Sequence, residues 1–144
     1  MTVKETKDYL AKAYRIDQRI NSKLEQVSSL RALATKATVT FSDMPKGSGD
    51  VHSREKIIVK IIDLEHGINA DIDALVDLKA EIIEKIKLVP NVEYQMLLEL
   101  RHVCFKAWDE IADAMNFSVQ HVFRLHSTAL QELSKKIEDE SKCD

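Results

Sequence analysis

The sequence predicts an all-α protein: a long antiparallel helical hairpin, coiled-coil-like in its periodicity, followed by a C-terminal three-helix helix-turn-helix module. Only three glycines and two prolines occur in 144 residues, which leaves few of the turns that a many-stranded fold needs. Charged residues make up 31% of the chain and aromatic residues 6%, a balance that favours helices with solvated faces. Two long segments also repeat apolar residues every three or four positions, which is the helical period.

The first long segment predicts one helix from about Lys4 to about Lys36. Neither glycine nor proline interrupts residues 1–44. Steps of three or four keep the apolar residues on one side of the helix. The stripe consists of Leu10, Ala13, Ile16, Ile20, Leu24, Val27, Leu30 and Ala34.

Residues 37–53, ATVTFSDMPKGSGDVHS, interrupt this pattern. They contain Pro45, Gly47 and Gly49 among small polar residues, which predicts a mobile loop. Ser53 is the residue type that caps the start of a helix, so the second helix is expected to begin there.

The second long segment repeats its apolar residues at a mean step near the coiled-coil value of about 3.5. Its stripe consists of Ile57, Ile61, Leu64, Ile68, Ile72, Leu75, Leu78, Ile82, Ile86 and Val89. Similar helix lengths joined by a loop predict an antiparallel hairpin over residues 1–89, although pairing between chains gives the same pattern. A two-helix core is thin, and the leftover residues Ile58, Ile62 and Ile83 could hold two copies together as a homodimer.

Pro90 marks the boundary between this hairpin and a module at residues 90–136. Proline cannot donate a helical hydrogen bond and restricts the residue before it, so the second helix is expected to end there. A third helix opens at Asn91 or Val92, and residues 105–107 connect it to two further helices. Residues 137–144 are expected to form a polar, frayed tail.

Residues 108–130, WDEIADAMNFSVQHVFRLHSTAL, have the pattern of a helix-turn-helix. Ala112 supplies the small residue where the two helices cross, and Asn116 tolerates the left-handed backbone of the turn. Ser118 is a good N-cap for the second helix. The apolar residues expected to join the two helices are Ile111, Met115, Val119, Val122 and Leu125.

The second helix of this motif presents side chains suited to double-stranded DNA. Gln120, His121 and Arg124 have the length and the donors or acceptors that base edges in a major groove require, and Ser127 and Thr128 follow. Lys106 and Ser118 lie at helix starts, where phosphate contacts are expected. The basic residues of the first helix, Lys4, Lys7, Lys12, Arg15 and Arg19, are further candidates for phosphate contacts.

The stretch from Tyr94 to Leu133 resembles region 4 of sigma-70-type factors. The shared pattern is Trp108 followed by Glu-Ile-Ala, and then Val122, Arg124, His126 and Ala129-Leu130. The whole chain is similar to phage-encoded transcription regulators of the autolysin-regulator-like (ArpU-like) kind. The resemblance implies promoter or operator binding in a bacterial host cytoplasm, with RNA polymerase as a further partner. The chain departs from the region-4 pattern at Asn116, where glycine is usual, and at His102, where tyrosine is usual.

Other classes of function find little support. We expect no enzyme, no cofactor and no metal site, since no phosphate-binding glycine loop occurs and His121 and His126 do not share a helical face well. Cys104 is expected to be a core thiol, and Trp108 is expected to pack the three-helix core rather than stack on a base. No apolar run is long enough for a membrane helix and no signal peptide is evident, so a cytoplasmic protein is expected.

The charge distribution favours an alternative partner. Residues 1–53 hold nine Lys/Arg and six Asp/Glu, a net +3, whereas residues 90–144 hold six and ten, a net −4. DNA affinity depends on neutralising the phosphate charges, so the net negative charge of the module disfavours DNA binding. The alternative is a protein-interaction module that binds RNA polymerase, a repressor or another host or phage protein.

Overall fold

A computed structural model describes residues 1–42 and 48–143, with side chains for residues 1–36 and 52–142. These residues form five helices: α1 (Val3–Ser42), α2 (Ser48–Ile86), α3 (Val92–His102), α4 (Trp108–Met115) and α5 (Val119–Cys143). No strand occurs in the described ranges. The predicted all-α class and the pair of long N-terminal helices are confirmed.

Both long helices extend further than the sequence predicted. Helix α1 continues to Ser42 and helix α2 already begins at Ser48. The predicted loop over residues 37–53 is therefore too long, and Ser53 lies inside α2 rather than at its start. Thr38, Val39 and Thr40 have only modest helix propensity, but nothing before Pro45 forbids helix. The remainder of the predicted loop, residues 43–47, lies outside the described residues.

The chain divides into two compact units. The first consists of Met1–Arg15 together with Leu75–Asp144, and the second consists of Ile16–Ala74. The first compact unit thus combines the beginning of α1 and the end of α2 with helices α3, α4 and α5. The module boundary at Pro90 stays a prediction.

In the second compact unit, α1 and α2 of the same chain run antiparallel. Lys23 Nζ lies 2.7 Å from Asp71 Oδ2, and Arg31 Nη2 lies 2.9 Å from Glu65 Oε1, so later residues of α1 meet earlier residues of α2. Ile20, Val27 and Ile68 are buried between polar flanks. Other apolar residues of this unit remain largely exposed: Leu24, Leu33, Ile58, Val59, Ile62 and Ile72.

In the first compact unit, helices α3, α4 and α5 pack around a shared apolar cluster. Leu97, Ile111 and Val122 are fully buried and Ala112 is nearly so. Residues packed against them are Leu100, Trp108, Met115, Phe117 and Leu125. Asn91 starts α3, because its side-chain oxygen accepts hydrogen bonds from the backbone N–H groups of Glu93 and Tyr94.

The C-terminal half of α5 is not the frayed tail that the sequence predicted. Leu133 and Ile137 are buried, and Lys85 Nζ lies 3.2 Å from Glu140 Oε2. The buried hydroxyls of Ser134 and Thr6 lie 2.8 Å apart. Helix α5 continues because these residues find partners on the ends of α1 and α2.

Candidate nucleic-acid interface

The turn between α4 and α5 has the geometry that the sequence predicted. Asn116 has φ 60° and ψ 45°, which is the left-handed conformation that asparagine tolerates better than most residues. The backbone N–H of Phe117 donates to the carbonyl oxygen of Ala112 at 2.9 Å, which closes the end of α4. Ala112 itself is buried in the cluster, as a crossing residue should be.

Ser118 caps the start of α5. Its Oγ accepts a hydrogen bond from the backbone N–H of His121 at 3.1 Å, and its carbonyl oxygen accepts from Val122 N–H at 3.0 Å. This arrangement satisfies backbone donors that would otherwise lack partners at the helix start. The helix therefore begins at a fixed position relative to the turn.

Four of the predicted base-reading residues are exposed on one helix. Gln120, Arg124, Ser127 and Thr128 all have exposed side chains, and these four residues are called the reading face below. His121 is half-buried, with its ring edge-on to Phe117 at a centroid distance of 4.6 Å. Thr128 Oγ1 donates to the carbonyl oxygen of Arg124 at 3.2 Å, so this hydroxyl already has an acceptor.

One residue of the predicted helix–helix contact is on the outside instead. Val119 is 38% exposed, whereas Val122 is fully buried. The two residues are three apart in the first turn of α5, where Val122 points into the cluster and Val119 lies at its edge. Val119 is therefore not part of the buried contact between the two helices, contrary to the prediction.

The reading face lies in the longest carboxylate-free part of the module. No Asp or Glu occurs from Ala114 to Gln131, and the next carboxylate is Glu132. Among the described residues, Arg124 has no ion pair. The net negative charge of residues 90–144 thus comes from residues before Ala114 and after Gln131. The N-terminal half of α5 has no carboxylate of its own that would repel phosphates.

Three acidic residues lie on α4, before the turn. Asp109, Glu110 and Asp113 are all exposed. Lys106 Nζ lies 3.9 Å from Glu110 Oε2, so its charge is partly offset by this carboxylate. Lys106 remains half-exposed, but a phosphate would have to compete with Glu110 for it.

Trp108 packs against the core, as predicted, and its ring contacts two aromatic side chains of α5. It is packed against the buried cluster, with the Phe123 and His126 rings edge-on at 5.2 and 4.8 Å. The guanidinium of Arg101 lies 4.2 Å from the centre of the Trp108 ring. Contacts of this kind combine apolar burial with the attraction of a cation to a ring face.

A pair of histidines joins α3 to α5, and sequence reasoning missed it. His102 Nε2 and His126 Nε2 lie 2.9 Å apart, with the rings stacked at 5.1 Å. Burial, the neighbouring His126 and the charge of Arg101 lower the pKa of His102 to about 3. Burial and the charges of Arg101 and Lys7 lower the pKa of His126 to about 4. Both rings are therefore neutral at pH 7, so one donates and the other accepts.

The position of Cys104 differs from the predicted one. Cys104 is exposed, so the prediction of a core thiol is wrong. It follows the end of α3 at His102, where the Cys104 N–H donates to the Glu99 carbonyl oxygen.

Within the described part of the chain, no group of three or more His, Cys, Asp or Glu side chains is arranged to hold a metal ion. None of the helices in the described ranges is both long and apolar enough to cross a membrane.

A family model described as a protein of unknown function (DUF1492) matches residues 35–134. The match includes all of α2, α3 and α4, together with the turn before α5 and the reading face. Searches of curated proteins and of solved structures found no match to the chain.

Proposed function

The chain belongs to the DUF1492 family, and we propose that it is a transcription regulator that reads double-stranded DNA in a bacterial host cytoplasm. The observation that carries this proposal is the reading face. Its four exposed side chains follow a capped helix start and a left-handed turn, and no carboxylate occurs from Ala114 to Gln131. This is the arrangement by which a helix-turn-helix inserts its second helix into a major groove. The resemblance to sigma-70 region 4 and to phage regulators points to a promoter or operator as the target.

Each proposed contact follows from side-chain chemistry. Arg124 can donate two hydrogen bonds to guanine O6 and N7, and Gln120 can pair with adenine N6 and N7. Ser127 and Thr128 lie one turn further along the same face. His121 is half-buried and contributes from the edge of the face. Lys106 and the Ser118 hydroxyl are the proposed phosphate contacts.

The acidic flanks predict that one copy binds DNA weakly. Phosphate contacts provide most non-specific affinity, and residues 90–144 carry only six Lys/Arg against ten Asp/Glu. We propose that a second copy, paired through the exposed Ile58 and Ile62, or RNA polymerase supplies the missing affinity. Ile58 is 53% exposed and Ile62 is 47% exposed, so both are accessible to such a partner.

Selection from a random duplex library tests the proposal without knowledge of the target. Purified full-length chain should enrich a defined motif, and its affinity for that motif should be measured at stated salt. Arg124→Ala should weaken binding by about 1–3 kcal/mol and relax the preference at one base pair. Lys135→Ala is the matched control, since it removes the same charge from an exposed position about three turns along α5.

A second candidate function is protein binding by the same module. Phe123 is 48% exposed beside Arg124, and α4 carries the exposed carboxylates of Asp109 and Asp113. An exposed aromatic residue with charged neighbours is common in protein interfaces. Purified bacterial RNA polymerase is the probe: a stoichiometric complex that Phe123→Ala weakens and Arg124→Ala does not would favour this candidate.

A further inference from the structure

A cleft in the first compact unit is lined by two positively charged side chains and shares no lining residue with the reading face. It has a volume of about 400 Å³ and is lined on one side by α1 and on the other by the end of α3 and the connection to α4. The side chains that matter are Lys7, Tyr14, Arg101, His102, Phe105 and Glu110. We call it the cationic cleft.

The two cations of this cleft, Lys7 and Arg101, form no ion pair with a carboxylate whose side chain the structure describes. Glu110, the one acid lining the cleft, lies 3.9 Å from Lys106 instead. Lys7 and Arg101 line the same cleft, and the charges of both lower the pKa of the neighbouring His126.

The guanidinium of Arg101 is held in a fixed position. It lies over the Trp108 ring, and Arg101 Nη1 donates to the carbonyl oxygen of Lys106 at 2.9 Å. These contacts use the ring-facing surface and one donor, and the remaining guanidinium N–H groups need other acceptors. A preorganised guanidinium beside a lysine is a common way to bind phosphate.

Two aromatic rings also line the cleft, that of Phe105 after the end of α3 and that of Tyr14 on α1. Phe105 has φ 56°, which is uncommon for a bulky residue. Its ring is edge-on to Tyr14 at 5.6 Å and has Lys79 Nζ 4.7 Å from its centre. Lys79 adds a third positive charge near the cleft, and Tyr14 is half-exposed.

We propose that the cationic cleft binds a phosphate group between Lys7 and Arg101. The phosphate can belong to a small molecule, whose planar base would lie against Tyr14, or to the backbone of bound DNA. The volume is within the range of small-molecule sites, which is about 300–1,000 Å³. Only the DNA source rests on the proposed function, because the cleft shares no lining residue with the reading face.

Calorimetric titration of the full chain with inorganic phosphate, with adenosine monophosphate and with the selected duplex tests the proposal. We expect saturable binding of at least one probe that Lys7→Ala weakens about tenfold or more, the loss typical of a charged hydrogen bond. Lys135→Ala is the matched control, since it removes the same charge from an exposed position of the first compact unit that lies outside the cleft. Arg101→Lys, which keeps the charge, should weaken binding less than Arg101→Ala.

The probes separate the two sources. Binding of adenosine monophosphate that depends on Lys7 identifies a small ligand. The DNA backbone is identified as the source if Lys7→Ala weakens duplex binding and free phosphate does not bind. In that case Lys7→Ala should also reduce the slope of log affinity against log salt concentration by about 1. Equal binding of all three probes by Lys7→Ala and the unmodified chain, or no binding of any probe, would overturn the proposal. If the chain binds no duplex, the two small probes still decide the matter independently of the proposed function.

Discussion

In the first compact unit, Leu97, Ile111 and Val122 lie fully buried where three helices meet, whereas the second compact unit has only two helices to cover its apolar residues. Leu24, Ile62 and Ile72 therefore stay 41–50% exposed. The second unit compensates with charge: Asp71 accepts from Lys23 at 2.7 Å and lies 3.8 Å from Arg19. The same apolar period along a helix thus gives a closed core in the first unit and a partly exposed apolar contact between α1 and α2 in the second. We call this partly exposed contact, which includes Leu24, Ile62 and Ile72, the open seam.

This difference fits the roles proposed for the two units. A rigid three-helix core positions the reading face accurately, as base contacts require. An open apolar seam is suited to a partner, because exposed apolar area is what association removes from water. The first unit is therefore expected to determine DNA specificity, and the second to determine assembly.

The largest expected effect compares one isoleucine from each unit. Ile111→Ala should lower the free energy of unfolding by about 2–4 kcal/mol, because it leaves a cavity in a closed core. Ile62→Ala should cost less than about 1 kcal/mol, because its side chain is already half in water. Urea denaturation of both variants measures this. Equal costs would contradict the distinction between closed core and open seam.

A smaller effect concerns the histidine pair of the first unit. In the unfolded chain both imidazoles titrate near pH 6.5, but in the folded chain their pKa values are about 3 and about 4. Between the folded and the unfolded pKa values, the unfolded chain binds more protons than the folded chain. The contribution of the neutral pair to the free energy of unfolding is therefore fully present above about pH 6.5 and falls as the pH drops towards 4. After allowance for solvent screening, we expect a loss of about 1–2 kcal/mol.

His126→Phe should flatten this pH dependence, because phenylalanine keeps a ring against Trp108 but cannot take up a proton. His66→Gln is the control, since His66 is exposed on the second unit. Stability profiles from pH 4 to pH 7 decide the outcome. A profile of His126→Phe as steep as that of the unmodified chain would show that the pair is not responsible.

The smallest expected effect sharpens the account of the seam. A Cβ atom at Gly67 would lie 3.1 Å from Lys23 Nζ, which passes over this glycine on its way to Asp71. Gly67→Ala gains about 1 kcal/mol of helix propensity. When Lys23 is present, the new methyl group has to displace its side chain, and this displacement offsets part of the gain. In a Lys23→Ala background nothing is displaced, so the whole gain should appear. A double-mutant cycle by thermal unfolding measures the coupling, and equal gains in both backgrounds would mean that Lys23 moves aside at no cost.

Local signals predicted the parts of the fold that local chemistry decides. Asn91, Asn116 and Ser118 act at helix ends, where the side chain bonds to its own neighbours or adopts an unusual backbone angle. The sequence alone suffices there, because the partners lie within a few residues. The two long apolar stripes were likewise strong enough to predict both helices of the hairpin.

Long-range packing decided the parts that were missed. Ile137 appeared to belong to a polar tail, but it is buried because α5 continues alongside other parts of the first unit. Cys104 appeared to be in the core, but α3 ends two residues earlier. His102 and His126 are 24 residues apart and share no local pattern, although the departure from tyrosine at His102 marked the position as unusual.

Duplex binding by the Arg124→Ala variant tests the central claim most directly. The motif enriched by the full chain should be measured by fluorescence anisotropy at two salt concentrations, with Lys135→Ala as the charge-matched control. We expect Arg124→Ala to weaken binding of this motif about 5- to 150-fold and to lose preference at one base pair, while Lys135→Ala changes the affinity much less. Equal affinity and unchanged base preference for Arg124→Ala, or no enriched motif at low salt, would contradict the claim that α5 reads DNA.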